Sequence, residues 1–204
     1  MFQMPDAIIF DIDGTLLDSV DLHAQAWQEA LRHFGHDFSF EKIRRQIGKG
    51  GDQLLPVFLD KDELEKKQKE IEEFRSSLFK EKYLPGVKAF PRVRELFQKV
   101  FNSAQKVALA SSAKGDELKH YERIDNIEDL VEVETSSADA ERSKPHPDIS
   151  EVALERLGKE ISPASTIVVG AARKAAGGGP VLIPLRNRQP GRLRAGVEDR
   201  NTLV

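Results

Sequence analysis

The chain has 204 residues, of which 39% are hydrophobic and 32% are charged, and it contains no cysteine. This length suits one domain, or one domain with a modest insertion. The lack of cysteine excludes disulfides, thiolate zinc sites and cysteine nucleophiles. Its apolar runs are far shorter than the roughly 20 residues of a membrane span, and no secretory leader is expected. We therefore expect a cytoplasmic protein with no membrane partner.

The charge of the chain is nearly balanced but unevenly distributed. A net charge of -3 does not indicate the positively charged surface that binds nucleic acid, so no nucleic-acid partner is expected. Residues 171–204 hold seven Lys or Arg and two acidic residues, a net of +5, so the residues before them carry -8. This change in character sets the tail, from about residue 171, apart from the rest.

The predicted elements begin with a strand and continue with helices. The apolar run at 7–10 ends in Asp11 and is typical of a buried parallel strand. From Asp18 the hydrophobic period becomes helical, and helices are predicted at about 18–34, 40–47, 53–59 and 61–82. The last of these is rich in charged residues, which indicates a solvated helix face. It offers no large apolar face to a partner, so we expect a monomer or a weak dimer.

After the Leu-Pro-Gly turn at 84–86, helices and strands alternate. Helices are predicted at 87–101, 117–121 and 147–157, and strands at 106–110, 130–134, 166–169 and, as an open alternative, 181–185. Such alternation predicts right-handed crossovers and a parallel sheet. The predicted fold class is α/β. Residues 1–17 and 84–204 form a Rossmann-like parallel-sheet core, and an all-helical domain is inserted at 18–83.

The strongest chemical signal is the sequence Asp11-Ile12-Asp13-Gly14-Thr15 at the end of the first strand. In open α/β sheets ligands bind beyond the carboxyl ends of strands, and alternation sends both carboxylates to the same side. Two like charges so close are costly unless a cation intervenes, which suggests Mg²⁺ with oxygen ligands. A calcium loop is disfavoured because its glycine comes sixth, and an incidental acidic turn is the other alternative.

Three further features fit the same site. Ser111 follows the strand at 106–110, where its hydroxyl could hold a phosphate oxygen, although serine is also common in turns. Lys144 precedes a predicted helix in Ser143-Lys144-Pro145-His146-Pro147; a lone lysine is usually a surface charge, but the flanking prolines favour a fixed loop. Gly170 ends the strand at 166–169.

Together these motifs resemble the haloacid dehalogenase-like superfamily. The resemblance is to its phosphatase branch, near phosphoglycolate phosphatase and β-phosphoglucomutase, in which a helical cap follows the first strand. It rests on the Asp11 to Thr15 motif, the Ser111 strand end, Lys144-Pro145-x-Pro147-Asp148 and the position of the insertion, over about residues 5–170. It implies a hydrolase that acts on a small phosphorylated metabolite and uses Mg²⁺.

The resemblance assigns a role to each core residue. Asp11 would be the nucleophile that forms an aspartyl-phosphate. Asp13 would act as general acid to the leaving alcohol and then as base to water. Ser111 and Lys144 would bind the transferring phosphoryl group. Mg²⁺ would bind the Asp11 carboxylate and the Asp13 backbone carbonyl.

The cap contributes further candidate residues. The sequence Gly48-Lys49-Gly50-Gly51-Asp52 lies where this family keeps its substrate-selecting loop, although a glycine-rich turn between helices is an equal alternative. His23 occupies a position that assists proton transfer in mutase-like members, and a packed histidine beside Trp27 is the alternative. Mutases use an arginine in the cap loop, where this chain has Lys49, so a mutase is disfavoured. The full candidate substrate-binding set is Thr15, His23, Lys49, Gly50, Gly51 and Ser112.

One family motif is absent. The family has G-D-x-x-x-D after the last core strand, and its aspartates complete the Mg²⁺ shell, whereas this chain continues from Gly170 as Ala171-Ala172-Arg173-Lys174-Ala175. Losing two carboxylates should weaken Mg²⁺ binding substantially. The first functional hypothesis is therefore a Mg²⁺-dependent phosphomonoester hydrolase. A catalytically impaired phosphatase-like binding protein comes second, and a sugar-phosphate mutase third.

Overall fold

The computed structural model describes residues 4–103, 105–113, 115–139, 144, 148–171 and 180–184. Its centre is a five-stranded sheet in the order β3-β2-β1-β4-β5. The strands are β1 Ala7–Phe10, β2 Lys106–Ala110, β3 Val133–Thr135, β4 Thr166–Ala171 and β5 Pro180–Pro184. Strand β1 pairs in parallel with β2 and β4, and β2 pairs in parallel with β3. The predicted Rossmann-like parallel-sheet core is confirmed.

The edge strand β5 differs from the parallel arrangement expected of the sheet. It runs antiparallel to β4, with Val168 opposite Ile183. Residues 172–179 connect the two strands, and a parallel connection needs a crossover of a dozen or more residues. So short a connection allows the antiparallel pairing. The predicted end of this strand at Leu185 lies outside the described residues.

Seven α-helices lie in the described residues, and none of them is both long enough and apolar enough to cross a membrane. They are α1 Val20–His33, α2 Phe40–Arg44, α3 Gly51–Leu54, α4 Lys61–Leu78, α5 Val93–Asn102, α6 Gly115–Asp125 and α7 Asp148–Leu157. Helix α4 continues as a π-helical turn at Phe79–Tyr83. Helix α5 begins later than the predicted residue 87 because Pro91 disfavours helical backbone at Phe90, and Arg92 has a left-handed φ of 68°.

Both faces of the sheet are covered by helices. Successive strand residues point to opposite faces, so Ile9 packs with Ile149 of α7, whereas Phe10 packs with Phe97 of α5 and Tyr121 of α6. The sheet is therefore buried on both sides.

Helices α1 to α4 and their connections form their own apolar cluster. Its buried members are Ala24, Trp27, Leu31, Ile43, Leu54, Leu55, Leu59 and Ile71. The two chain segments that join these helices to the sheet are hydrogen-bonded to each other, from Asp18 N to Lys88 O at 2.9 Å and from Phe90 N to Leu16 O at 2.8 Å. We call the helical segment the cap; its exact bounds at 18–83 stay a prediction.

Candidate active site

A tight turn after β1 positions the two aspartates. The backbone N–H groups of Thr15 and Leu16 donate to Ile12 O at 3.0 and 2.8 Å. Gly14 has a φ of 74°, a conformation that side chains with a Cβ rarely adopt. This turn keeps Asp11 and Asp13 at the carboxyl end of the parallel sheet, where α/β folds bind their ligands.

Asp11 forms an ion pair with Lys144. Its Oδ1 accepts hydrogen bonds from Ile12 N at 2.9 Å and from Lys144 Nζ. The same ammonium donates to Ala110 O, at the end of β2, at 2.9 Å. Lys144 thus spans the ends of two neighbouring strands and holds a positive charge beside the proposed nucleophile. The residues on either side of it, Ser143 and 145–147, lie outside the described residues, so the predicted rigid flanks of Lys144 stay a prediction.

Asp13 is held as a carboxylate. Its Oδ1 accepts from Ser19 Oγ at 2.6 Å and lies 2.9 Å from His23 Nε2. Burial raises the pKa of the Asp13 carboxyl, but the contact with His23, the hydroxyl of Ser19 and the charge of Lys144 together lower it to about 2. Asp13 is therefore ionised in the substrate-free cleft.

The opposite side of the His23 ring is hydrogen-bonded to Arg75. A guanidinium can only donate, so its contact with Nδ1 leaves that nitrogen as an acceptor and places the ring proton on Nε2, facing Asp13. The ring stacks on Phe79 with centroids 4.0 Å apart, and Tyr121 Oη lies 3.4 Å from Nε2. His23 is thus both packed and directed at Asp13, and its assistance in proton transfer stays a prediction.

Arg75 is a residue of the cleft that the sequence did not predict. It lies on α4, four residues after the buried Ile71, with its guanidinium carbon 5.2 Å from the Trp27 ring centroid and 5.0 Å from that of Phe79. Burial lowers the pKa of Arg75, against the raising effect of Glu117 and other acidic groups. Arg75 lies at helical spacing between apolar residues, and this pattern could have indicated a buried basic residue. The many other charged residues of α4 made the pattern hard to recognise.

The predicted hydroxyls occupy different environments. Ser111 is completely buried, and its Oγ accepts from Ala113 N at 3.0 Å. Ser112 lines the cleft between cap and core, and its Oγ is buried without a hydrogen-bond partner. Thr15 Oγ1 is likewise buried and unpartnered, although Thr15 does not line the cleft. Ser112 is therefore the hydroxyl available to a ligand in this arrangement.

The glycine-rich cap loop closes the other side of the cleft. Gly48 has a φ of 95°, which favours glycine, and a Cβ at Gly51 would lie 2.8 Å from Glu72 Oε1. Lys49 Nζ donates to Gln46 Oε1 at 2.7 Å. Local backbone conformation and packing thus explain why glycine occurs at Gly48 and Gly51. The loop as a whole still faces the aspartates.

The structure brings most of the predicted site residues into one cleft. Those that line it are Asp11, Asp13, His23, Lys49, Gly50, Gly51, Ser112 and Lys144, whereas Ser111 and Thr15 do not. Six further lining residues were not in the predicted set, among them Trp27, Arg75 and Glu117. The cleft encloses about 90 Å³, far below the roughly 300–1,000 Å³ of pockets for drug-sized ligands, which favours a small ligand.

The oxygen donors near Asp11 match a magnesium shell only in part. The Asp11 carboxylate and the Asp13 carbonyl are hard donors, and Mg²⁺ is often held by one or two carboxylates together with a substrate phosphate. Within the described residues, however, no three His, Cys, Asp or Glu side chains form a metal-binding group. A Cβ on Gly170 would lie 3.5 Å from Asp11 Cβ, so β4 passes beside Asp11 at Gly170, a residue that supplies no carboxylate.

The fold and the cleft together define a class of protein: a Rossmann-like hydrolase with an aspartate pair after its first strand and a helical cap over them. The family model described as haloacid dehalogenase-like hydrolase matches residues 8–174. The chain belongs to this family, and the resemblance seen in its motifs is confirmed.

Relatives and solved structures agree with this assignment. A phosphorylated carbohydrates phosphatase of Thermotoga maritima is 31% identical over 74% of this chain and 70% of its own length. A beta-phosphoglucomutase of Bacillus subtilis is 26% identical, with 80% and 74% covered. The crystal structure of a hydrolase from Pseudomonas syringae superimposes with a TM-score of 0.71 at 24% identity, over 82% of this chain and 76% of that one. The chain is a phosphatase-type member of the family.

Proposed function

We propose that this protein hydrolyses phosphate monoesters of small metabolites through an aspartyl-phosphate on Asp11. The observation that carries the proposal is the arrangement of two aspartates with different partners in one small cleft. Asp11 is paired with the cation of Lys144, while Asp13 is hydrogen-bonded to Ser19 and His23. The Asp11 carboxylate can thus attack phosphorus, while Asp13 donates and accepts protons.

In the proposed reaction, an oxygen of Asp11 attacks phosphorus and the bond from phosphorus to the ester oxygen breaks. Asp13 donates a proton to the departing alkoxide and then removes one from the water that hydrolyses the aspartyl-phosphate. The dianionic phosphate near Asp13 raises the affinity of that carboxylate for the first proton. Lys144 and the Ser112 hydroxyl stabilise the negative charge of the phosphoryl oxygens.

Magnesium is the cofactor that we propose for this reaction. Asp11 and the Asp13 carbonyl would hold it, and it would neutralise charge on the phosphoryl group. With so few protein donors, we expect its affinity to depend on the bound phosphate. The cytoplasmic location and the monomeric or weakly dimeric state stay predictions from the sequence.

A catalytically impaired binding protein is the second candidate, and the observation in its favour is Ala171 directly after Gly170. Such a protein would bind phosphate esters in the same cleft without turnover. Its metal site would be too poor in carboxylates to support the reaction.

Phosphate release from a panel of phosphomonoesters, with and without Mg²⁺, separates the two candidates. The hydrolase predicts Mg²⁺-stimulated release that is abolished by Asp11→Asn. Release that persists in this variant would contradict the aspartyl nucleophile. If a folded wild-type chain released no phosphate but bound the esters, the impaired binding protein would be supported. Conversion between two sugar phosphates without net release would indicate the mutase.

A further inference from the structure

Glu117 is a buried acidic residue of the cleft for which the proposed phosphoryl transfer has no use. It lies in the first turn of α6, is only 4% exposed, and lines the cleft with Asp11, Asp13 and Lys144. Its Oε1 is buried and accepts no hydrogen bond from any of the described residues. Leaving a buried acceptor unsatisfied is costly, so a ligand that donates a hydrogen bond to Oε1 would gain free energy there.

Arg75 of the cap offers a hydrogen-bond donor that complements the acceptor of Glu117. Its guanidinium contacts His23, but its Nε is buried and donates to no acceptor in the part of the chain that the structure describes. The cleft therefore holds an unused acceptor on the core and an unused donor on the cap. A hydroxyl group can both donate and accept, so a hydroxylated ligand can satisfy both.

The charges of the cleft argue against a second anionic group on the ligand. Its lining contains three carboxylates and three cations, namely Asp11, Asp13 and Glu117 with Lys49, Arg75 and Lys144. A bound phosphate dianion makes the net charge of the occupied cleft negative. A carboxylate or second phosphate next to Glu117 would add an uncompensated like charge.

We propose that Glu117 makes the site selective for phosphate esters whose leaving alcohol is uncharged and carries a further hydroxyl, and disfavours leaving groups with a carboxylate. This inference rests on the proposed function, because it treats the cleft as the site of the leaving group. The matched probes are glycerol 3-phosphate and 3-phosphoglycerate, which differ in whether a hydroxymethyl or a carboxylate group lies at the far end.

The experiment measures the ratio of kcat/KM for the two probes in the wild type and in Glu117→Gln. We expect the wild type to favour glycerol 3-phosphate by about tenfold or more, and the variant to lose most of that preference through a lower KM for 3-phosphoglycerate. Glu122→Gln is the matched control. Glu122 is buried on the same helix, with an unpartnered Oε1, but does not line the cleft, so its substitution should leave the ratio unchanged.

Binding tests the inference without turnover. Calorimetric Kd values of both probes on the Asp11→Asn protein should show the same preference, and adding Glu117→Gln should remove it. An equal effect of Glu117→Gln on both probes would show that Glu117 only balances the charge of Arg75 and would overturn the proposal. Absence of phosphate release with the Kd preference intact would instead count against the proposed function alone.

Discussion

His23 Nε2 lies 2.9 Å from Asp13 Oδ1 and donates its proton to that carboxylate. Because Arg75 occupies Nδ1, the imidazole is fixed in a single tautomer and orientation. Arg75, which lies on the cap, thereby influences the position of Asp13 through the imidazole ring of His23. Positioning of the proposed acid–base group thus depends on the cap lying over the core.

Replacing His23 should therefore impair the chemical step more than substrate binding. We expect His23→Ala to lower kcat by about 10²-fold with a much smaller change in KM, since Asp13 loses a hydrogen bond and Arg75 loses its acceptor. Steady-state kinetics on any accepted ester measures this. His36→Ala is the control, because His36 makes a similar 2.9 Å contact, to Glu63, at a distance from the cleft. Equal losses in both variants would argue for a purely structural role.

Lys144 should be required for stabilising the transferring phosphoryl group. We expect Lys144→Met to lower kcat/KM by about 10²–10³-fold, because no other cation is hydrogen-bonded to Asp11 among the described residues. Lys106→Met provides a close match, since Lys106 Nζ also donates to one carbonyl and one carboxylate, Leu157 O and Glu160, each at 2.9 Å. That control should keep nearly full activity. A Lys144→Met protein as active as the control would remove Lys144 from the mechanism.

The core half of the site could be predicted from the sequence because its residues follow buried strands. Asp11 follows four apolar residues, so its place at the sheet edge is set locally. Arg75 and Glu117 could not be predicted in this way, since each is one charge in a highly charged helix. The packing of cap on core decides which of those charges faces the cleft. The orientation of β5 likewise depends on the connection at 172–179 rather than on the strand's own residues.

Burial of Asp125 at the end of α6 should make the stability of the fold pH-dependent. Burial raises the pKa of this carboxyl from an ordinary value near 3.8 to about 7, and its Oδ1 has no hydrogen-bond partner. Between these two values the folded state binds the proton more tightly than the unfolded state does. The free energy of unfolding therefore falls as the pH rises through this window and is lowest above it.

Asp125→Asn removes the free-energy cost of burying an ionised carboxylate at this position. We expect the variant to gain about 1–2 kcal/mol in free energy of unfolding at pH 8 and to differ little from the wild type at pH 4. Urea unfolding at the two pH values measures the difference. Asp129→Asn serves as the control, because Asp129 is paired with Arg94 at the surface and its pKa is lowered. A gain for Asp125→Asn that is the same at both pH values would contradict the assignment.

Ala171 stands where the family places the first aspartate of its acidic motif, directly after Gly170. The backbone of Gly170 lies beside Asp11, since a Cβ built there would be 3.5 Å from Asp11 Cβ, and Ala171→Asp would restore the carboxylate that the family has at the next position. We expect the concentration of Mg²⁺ that gives half-maximal phosphate release to fall by about tenfold, and direct calorimetric binding of Mg²⁺ to tighten in parallel. The neutral Ala171→Asn variant should change both much less, because the ion is attracted mainly by the added charge. If Ala171→Asp stayed folded with unchanged Mg²⁺ binding, the residue after Gly170 would not be a metal position in this chain.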